Sequence, residues 1–415
     1  LTHNLKADLA GRPPKPFKPQ SQYLKLISLG GKEALADKWQ RSVGGAWAWR
    51  WKDRIDRAFM DKLNDLPPMP RPPLPANAVA DMAEALGPKP LCGGCGAKVG
   101  PDTLDTALAL LNTADRPDVL NAPGDDAALL RIGGAQQVIS TDHLRAFWSD
   151  PWLMARIAAV HAVNDILAMG AEPQAALAQI TLPAMTEALQ ARTLTDILDG
   201  ANDIFRSENI ALSGGHTSIG AELTIGFTIT GIAPDSPLAI DRARPDDALI
   251  LTAPIGSGTI LAAEMEGKAS GDDVARVLNA LSTPRGATAR ALAPLAHAMT
   301  DVTGFGLAGH LARMASASGL SAEIDLSNLP IHPGAEHLAA EGIRSSIWAA
   351  NRAAVDATLP DSPRTALLFD PQTAGGFLAA VSPDQADRAL TACRNASADA
   401  SIIGHMTEPA SVTLR

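Results

Sequence analysis

Eleven residues, Asp65-Leu-Pro-Pro-Met-Pro-Arg-Pro-Pro-Leu-Pro75, divide this chain. Each proline fixes φ and removes a backbone donor, so the run can enter neither a helix interior nor a central strand, and a stiff linker is expected. Charge follows the division. Residues 1–64 hold thirteen Lys and Arg against six Asp and Glu, whereas the whole 415-residue chain carries −10, so the part after the linker is strongly acidic. An acidic body argues against nucleic acid as the main partner, because backbone binding needs a basic surface, and anionic substrates must then be met through a metal. With 46% hydrophobic residues the chain can bury ordinary cores on both sides of the linker. No run approaches the roughly 18 apolar residues of a membrane span, and the first residues lack a signal-peptide core, so a cytoplasmic protein is expected. Cys92, Cys95 and Cys393 are too few for a disulfide framework and suggest thiol or metal chemistry. Leu1 in place of Met leads us to expect a processed or truncated chain.

Before the linker, Trp39, Trp47, Trp49 and Trp51 lie close together, and residues 47–63 mix aromatics with regularly placed basic residues. This predicts a basic amphipathic helix, which either packs on a domain absent from the chain or lies on a membrane surface through residues 39–63. No G-x-G-x-x-G stands there, so no nucleotide domain is expected. The strings NLKADLAGRPPKPFKPQ and WRWKDRIDRAFM resemble the C-terminal tail of FAD-dependent NADH dehydrogenase-type proteins.

From Ala78 onward short apolar runs alternate with Ala/Leu-rich stretches. Residues 127–132, 137–141, 221–230 and 248–252 suit strands, and 151–169, 194–208, 287–299 and 307–318 suit helices, a mixture that predicts an α/β or α+β body.

Gly133-Gly134 sits between two short strands and suits a tight hairpin turn. Asp126 and Asp142 lie symmetrically about it, so the hairpin would bring both carboxylates to one end of the ladder. Either they cap turns, or a cation neutralises them; Mg²⁺ suits an oxygen-only pair better than zinc. Asp165 falls in an otherwise apolar helical stretch, where an unpaired carboxylate is expensive to bury. Asp301 is expected in a glycine-bearing turn between two helices, as an N-cap or beside a phosphate. Glycine clusters at Ser213–Thr217, Pro254–Gly258 and Asp370–Gly376 could approach an anion or make ordinary turns. No G-x-x-x-x-G-K-[ST] occurs, so ATP would need another architecture. Cys92 and Cys95 form a lone C-x-x-C without a second pair, which makes zinc a poor fit. Lys98, three residues on in a glycine-rich segment, could lower a thiol pKa or contact a phosphoryl group. The surrounding Gly93, Gly94 and Gly96 predict a mobile arm that closes over phosphates.

CGGCGAK, GDDAA, the STD ending at Asp142, NDILAMG, SGGH, TDVTGFGLAGH and DPQTAGG occur in the order found in selenophosphate synthetases, over about residues 91–405, and the chain resembles that family. The resemblance implies a two-domain PurM-like (AIR synthase-like) fold with a dimerising N-terminal sheet domain. It would make 1–64 the remnant of another protein's C-terminus, 65–90 a linker with a short helix, 91–238 the ATP and Mg²⁺ domain, and 239–415 the C-terminal domain. It implies that ATP, selenide and water give selenophosphate, AMP and phosphate. Cys95 would be the catalytic cysteine and Lys98 the essential lysine. Asp126, Asp165 and Asp301 would hold Mg²⁺, while Asp142, Gly214, Gly215, His216 and Pro123, Gly124 and Asp125 would contact nucleotide. Many relatives have Asn at the place of His161, Lys at Ala253 and Ser at Ala374. The competing readings are another enzyme of the same superfamily, of the thiamine-monophosphate kinase or aminoimidazole ribonucleotide synthetase type, and a non-enzymatic C-x-x-C redox or metal module; the former relatives lack the Cys-Gly-Ala-Lys segment.

Overall fold

The computed structural model describes residues 2–38, 41–65, 67–70, 73–74, 77–79, 82, 90–110, 114, 116–121, 125–357, 359–396 and 398–408. The chain separates into two compact units, Leu1–Pro67 and Pro68–Arg415.

In the first unit α1 (Thr2–Leu9) precedes an antiparallel sheet of β1 (Lys25–Gly30), β2 (Glu33–Lys38) and β3 (Arg41–Gly45), followed by α2 (Ala46–Asn64). The helix matches the basic amphipathic segment, but the sheet was not expected. Its signal was the Gly30-Gly31-Lys32 turn, where all three residues have positive φ. Ala34, Ala36 and Ala48 form a small core between sheet and helix. Trp47, Trp51, Ile55, Phe59 and Leu63, spaced four apart, are all exposed on α2. Trp39 lies outside the described residues.

The second unit holds two five-stranded sheets. The first contains β4 (Ala128–Ile132), β5 (Ala135–Arg145), β6 (Glu172–Pro183), β7 (Ala211–Gly220) and β8 (Thr224–Ile232), in the order β4-β5-β8-β6-β7. Only β6 and β7 pair in parallel. A two-residue Gly133-Gly134 turn joins β4 to β5, as expected. α3 (Pro101–Ala109) precedes this sheet in the chain; α4 (Pro151–Ala168) packs on it, and α5 (Glu187–Ser207) packs on α4. Along β5 the even-numbered Val138, Ser140 and Leu144 are buried, and Asp142 shares their inward face because side chains alternate. The opposite face carries Thr141, Thr228 and Gln179, joined by hydrogen bonds of 3.0 and 2.9 Å, and exposed Leu177.

α4 begins on a well-made cap: Asp150 accepts from the backbone N–H groups of Trp152 and Leu153, and Pro151 occupies the first turn. Nearly every residue from Met154 to Ala168 is buried, so it is a core helix apolar all round. His161, Asn164 and Asp165 are buried polar exceptions on it.

The second sheet is antiparallel throughout: β9 (Ala248–Leu251), β10 (Ala296–Asp301), β11 (Ser321–Ile324), β12 (Phe377–Val381) and β13 (Ser401–Thr407), in the order β10-β12-β9-β13-β11. β9 and β12 are buried along their whole length. The accompanying helices are α6 (Ser257–Met265), α7 (Gly271–Leu281), α8 (Gly286–Leu292), α9 (Gly306–Ala317), α10 (Ala335–Ala340), α11 (Trp348–Ala353), α12 (Pro363–Leu367) and α13 (Ala386–Asn395). The helix expected over 287–299 ends at Leu292, and its last residues belong to β10. Asp301 therefore closes a strand rather than lying between two helices.

Candidate active site

Cys95 lies in a 3-10 turn, Gly94–Ala97, with Lys98 directly after it. The arm is packed, not loose. Cys95 is fully buried, and its N–H donates to Thr373 Oγ1 at 3.2 Å. Ser346 Oγ accepts from Cys92 N at 3.1 Å and donates to Gly96 O at 3.0 Å. A Cβ on Gly93 would stand 2.5 Å from Ala146 O, so this glycine permits close approach of two backbones. The expectation of mobility took the glycines for entropy, whereas here they serve packing.

Lys98 lines an open cavity of about 170 Å³ together with Asp125, Asp126, Asp142, Asp165 and Asp301. Asp126 precedes β4, Asp142 points inward from β5, Asp165 comes from α4 and Asp301 ends β10, so both halves of the unit supply carboxylates. The mirror symmetry of Asp126 and Asp142 is off by one: with Ala128 opposite Ile139, continuation of the register sets Asp125 against Asp142. Asp126 instead accepts from Thr300 Oγ1 at 2.8 Å, across to β10. Ser140 Oγ donates to Asp165.

One carboxylate oxygen of Asp126 and one of Asp301, both named Oδ2, are buried without a hydrogen-bond partner. Burial pushes Asp126 well above the usual carboxylate range, with Asp301 and Asp125 adding repulsion. Asp165 is raised in the same way by burial and by Asp142. Asp301 is raised to about 6, chiefly by burial, although His161 and Lys98 oppose the rise. Burial also acts on Asp142, but His161 and Lys98 outweigh it and hold that carboxyl below its ordinary value. Lys98 is raised, since Asp142, Cys95, Asp165 and Asp301 outweigh its burial. Excess negative charge with unpartnered oxygens fits a hard cation. Among the described residues no three His, Cys, Asp or Glu groups form a closed metal cage. Mg²⁺ needs none, because it takes one or two carboxylates and completes its shell with water and phosphate oxygens.

Asp125 lines the cavity; Pro123 and Gly124 lie outside the described residues. Gly214, Gly215 and His216 are on β7, exposed and away from the cavity. Asp142 is opposite Phe227, Phe227 opposite Ala178, and Ala178 opposite Gly215, which puts Gly215 three strands, about 14 Å, from Asp142.

Several residues of the site were not singled out in the sequence. His310 Nε2 accepts from Thr303 N at 3.1 Å, which leaves Nδ1 to carry the proton towards Thr300 Oγ1 at 3.4 Å. Burial, with Lys98 and Arg313 nearby, lowers His310 to about 3, so it stays neutral and braces the hydroxyl that holds Asp126. Arg313 lines the cavity with its guanidinium 4.6 Å from the centroid of Phe305. His310 stood in the quoted TDVTGFGLAGH, and Arg313 follows one helical turn later. His161, noted only as a departure, has Nε2 at 3.4 Å from Cys95 Sγ.

Residues 124–233 match the family described as AIR synthase related protein, N-terminal domain, and residues 244–415 its C-terminal domain. The selenide, water dikinase of Aeromonas hydrophila subsp. hydrophila is 36% identical over 321 residues, covering 75% of this chain and 92% of the relative. That of Geobacter metallireducens is 37% identical over 328 residues, covering 76% and 94%. Among solved structures, thiamine-monophosphate kinase from Stenotrophomonas maltophilia superposes with a TM-score of 0.56 at 23% identity, over 77% of this chain and 96% of that one, a likeness of fold.

Proposed function

This chain belongs to the selenide, water dikinase family, and from that premise we infer how its own residues serve the conversion of ATP, selenide and water to selenophosphate, AMP and phosphate. The observation that carries the assignment of roles is the pair of buried, unpartnered oxygens of Asp126 and Asp301 in the cavity that Lys98 also lines. Asp126, Asp165 and Asp301 would share Mg²⁺ ions, one or two carboxylates to each, and these when bound would neutralise the polyphosphate. Phosphoryl transfer asks a protein for positioning and electrostatics more than for covalent work. Lys98 holds the transferred phosphoryl group, and its raised pKa supports a permanent positive charge there. Cys95 guides selenide for attack on that group. The cavity then retains ADP for hydrolysis to AMP and phosphate. Asp142 and Asp125, with Pro123 and Gly124, contact the nucleotide.

Gly214, Gly215 and His216 are assigned to nucleotide in a homodimer built on the uncovered face of the first sheet. Their separation from Asp142 within one chain and the exposed Leu177 support a second copy there. The three cysteines are free, which suits a reducing cytoplasm. Among the described residues no helix is long and apolar enough to cross a membrane.

Phosphorus NMR of the protein with ATP, Mg²⁺ and selenide tests the reading. Selenophosphate, AMP and phosphate should grow together and only with selenide. Equal ATP consumption without selenide, with ADP accumulating, would overturn it.

A further inference from the structure

Cys95 and His161 meet in a wholly buried place between the two halves of the second unit. Cys95 Sγ lies 3.4 Å from His161 Nε2, and both side chains are closed to solvent. The other ring nitrogen, Nδ1, is 3.4 Å from the backbone N–H of Ala374. That N–H can only donate, so the neutral ring carries its proton on Nε2; a protonated ring carries one there as well, at the cost of setting Nδ1–H against the Ala374 N–H. In either state His161 presents an N–H to the sulfur.

The ring is held from several sides. It sits on α4, and Ala374 is fixed with positive φ (47°), an uncommon conformation for a residue with a Cβ. Half-buried Arg285 donates to Ala374 O through Nε at 3.3 Å and Nη2 at 3.2 Å. Thr373 of the same loop receives the Cys95 N–H, so one loop fixes both members of the pair. Around them stand Lys98 on the arm, Asp142 on β5 with Oδ2 3.5 Å from Nε2, Asp165 on α4, Asp301 at the end of β10 and His310 on α9.

We propose that His161 is a positioning residue for Cys95, its Nε2–H holding the sulfur as a thiolate in the ligand-free protein. An apolar residue at this place would leave the buried sulfur without that charge-assisted bond. Burial alone raises a thiol, yet Cys95 is lowered because His161, and after it Lys98, outweigh burial. The same contacts raise His161 to about 9 against its burial, with Cys95 and Asp142 responsible. The thiolate should therefore be present from below the ordinary thiol value upward, and the contribution of a charged ring should fade as pH rises through about 9. Its place in the reaction rests on the reading of Cys95 as the selenide-guiding residue; its existence does not.

The ultraviolet absorbance of the thiolate, followed against pH without nucleotide or selenide, tests it. The spectrum of Cys92→Ser/Cys95→Ser subtracted from that of Cys92→Ser isolates Cys95. We expect the thiolate band to rise with a midpoint below the ordinary thiol value, an upward shift of that midpoint when His161→Ala is added, and a partial return with His161→Gln, whose amide can donate in place of Nε2–H. An unmoved midpoint in His161→Ala would assign the thiolate to Lys98 and overturn the proposal. If the Ala variant does not fold, a midpoint at or above the ordinary thiol value in the Cys92→Ser protein overturns it alone. With ATP and selenide, His161→Ala should lower kcat. Failure of selenophosphate synthesis itself would leave the absorbance result standing, so the two readings fail separately.

Discussion

Asp126 and Asp301 each keep a buried oxygen without a partner, and in the ligand-free protein this is an electrostatic cost. Replacing either by Asn removes a charge that repels its neighbours. We expect Asp126→Asn and Asp301→Asn to leave the ligand-free Tm unchanged or raised, while Mg²⁺-ATP binds about tenfold or more weakly, a loss of at least about 1.4 kcal/mol. Calorimetric titration and a thermal scan measure the two effects. Unchanged nucleotide affinity in both variants would sink the ligand assignment. Asp301 also gives a pH dependence. Its carboxyl, raised to about 6, binds a proton more tightly folded than unfolded, so its contribution to ligand-free stability is full below the ordinary carboxylate value and lost as pH rises through about 6. Metal and proton compete for the same oxygens, so Mg²⁺-ATP affinity should fall as pH drops below about 6, and Asp301→Asn should flatten that part of the profile.

The first sheet depends on one glycine more than on any propensity. Gly215 has φ 155°, and a Cβ on it would lie 2.1 Å from Ala178 O of the neighbouring strand. Gly215→Ala must therefore part β6 from β7, and we expect it to cost about 3 kcal/mol, seen as a Tm several degrees lower; an unchanged Tm would refute the packing account. In the sequence this glycine stood out as part of SGGH, as a possible anion contact or an ordinary turn, and through the resemblance as a nucleotide contact. β7 was hidden because its side chains are small and polar and nearly all its residues are exposed, so no alternation marked it. β5 and α4 were legible for the opposite reason: a Gly-Gly turn delimits one, and an apolar run behind a Pro marks the other. β10 was lost because Ala296–Met299 continues the Ala/Leu pattern of α8, and only tertiary pairing with β12 makes it extended. Asp165 was readable by itself, since a charge in an apolar run asks for a partner, whereas Asp126 and Asp142 were found through a hairpin symmetry that is off by one and Asp301 through a turn that is a strand end. True neighbours were not readable: Thr300 reaches Asp126 across 174 positions, and Ala374 reaches His161 across 213.

At the scale of the second unit, the cavity draws on both sheets, and polar contacts already tie them together. Thr300 holds Asp126, Asn164 donates to Gly375 O at 3.1 Å, and Arg290 bridges Glu172 and Glu208 from α8. The partly exposed Arg290 pairs contribute little by themselves, one apolar core runs through both halves, and nucleotide should add to that join. A ligand that binds only the folded form at 100 times its Kd stabilises it by about 2.7 kcal/mol. Because Asp165 belongs to α4 and Asp301 to β10, that gain should spread over both halves at once. Hydrogen exchange on the full chain with Mg²⁺-ATP should thus show added protection in residues 91–100, in α4 and in β10, with residues 2–64 unchanged. The arm, already packed through Thr373 and Ser346, should gain less than a loose arm would. Protection confined to one sheet would mean that nucleotide does not span the cavity, and the shared placement of Asp126, Asp165 and Asp301 around its phosphates would have to be given up.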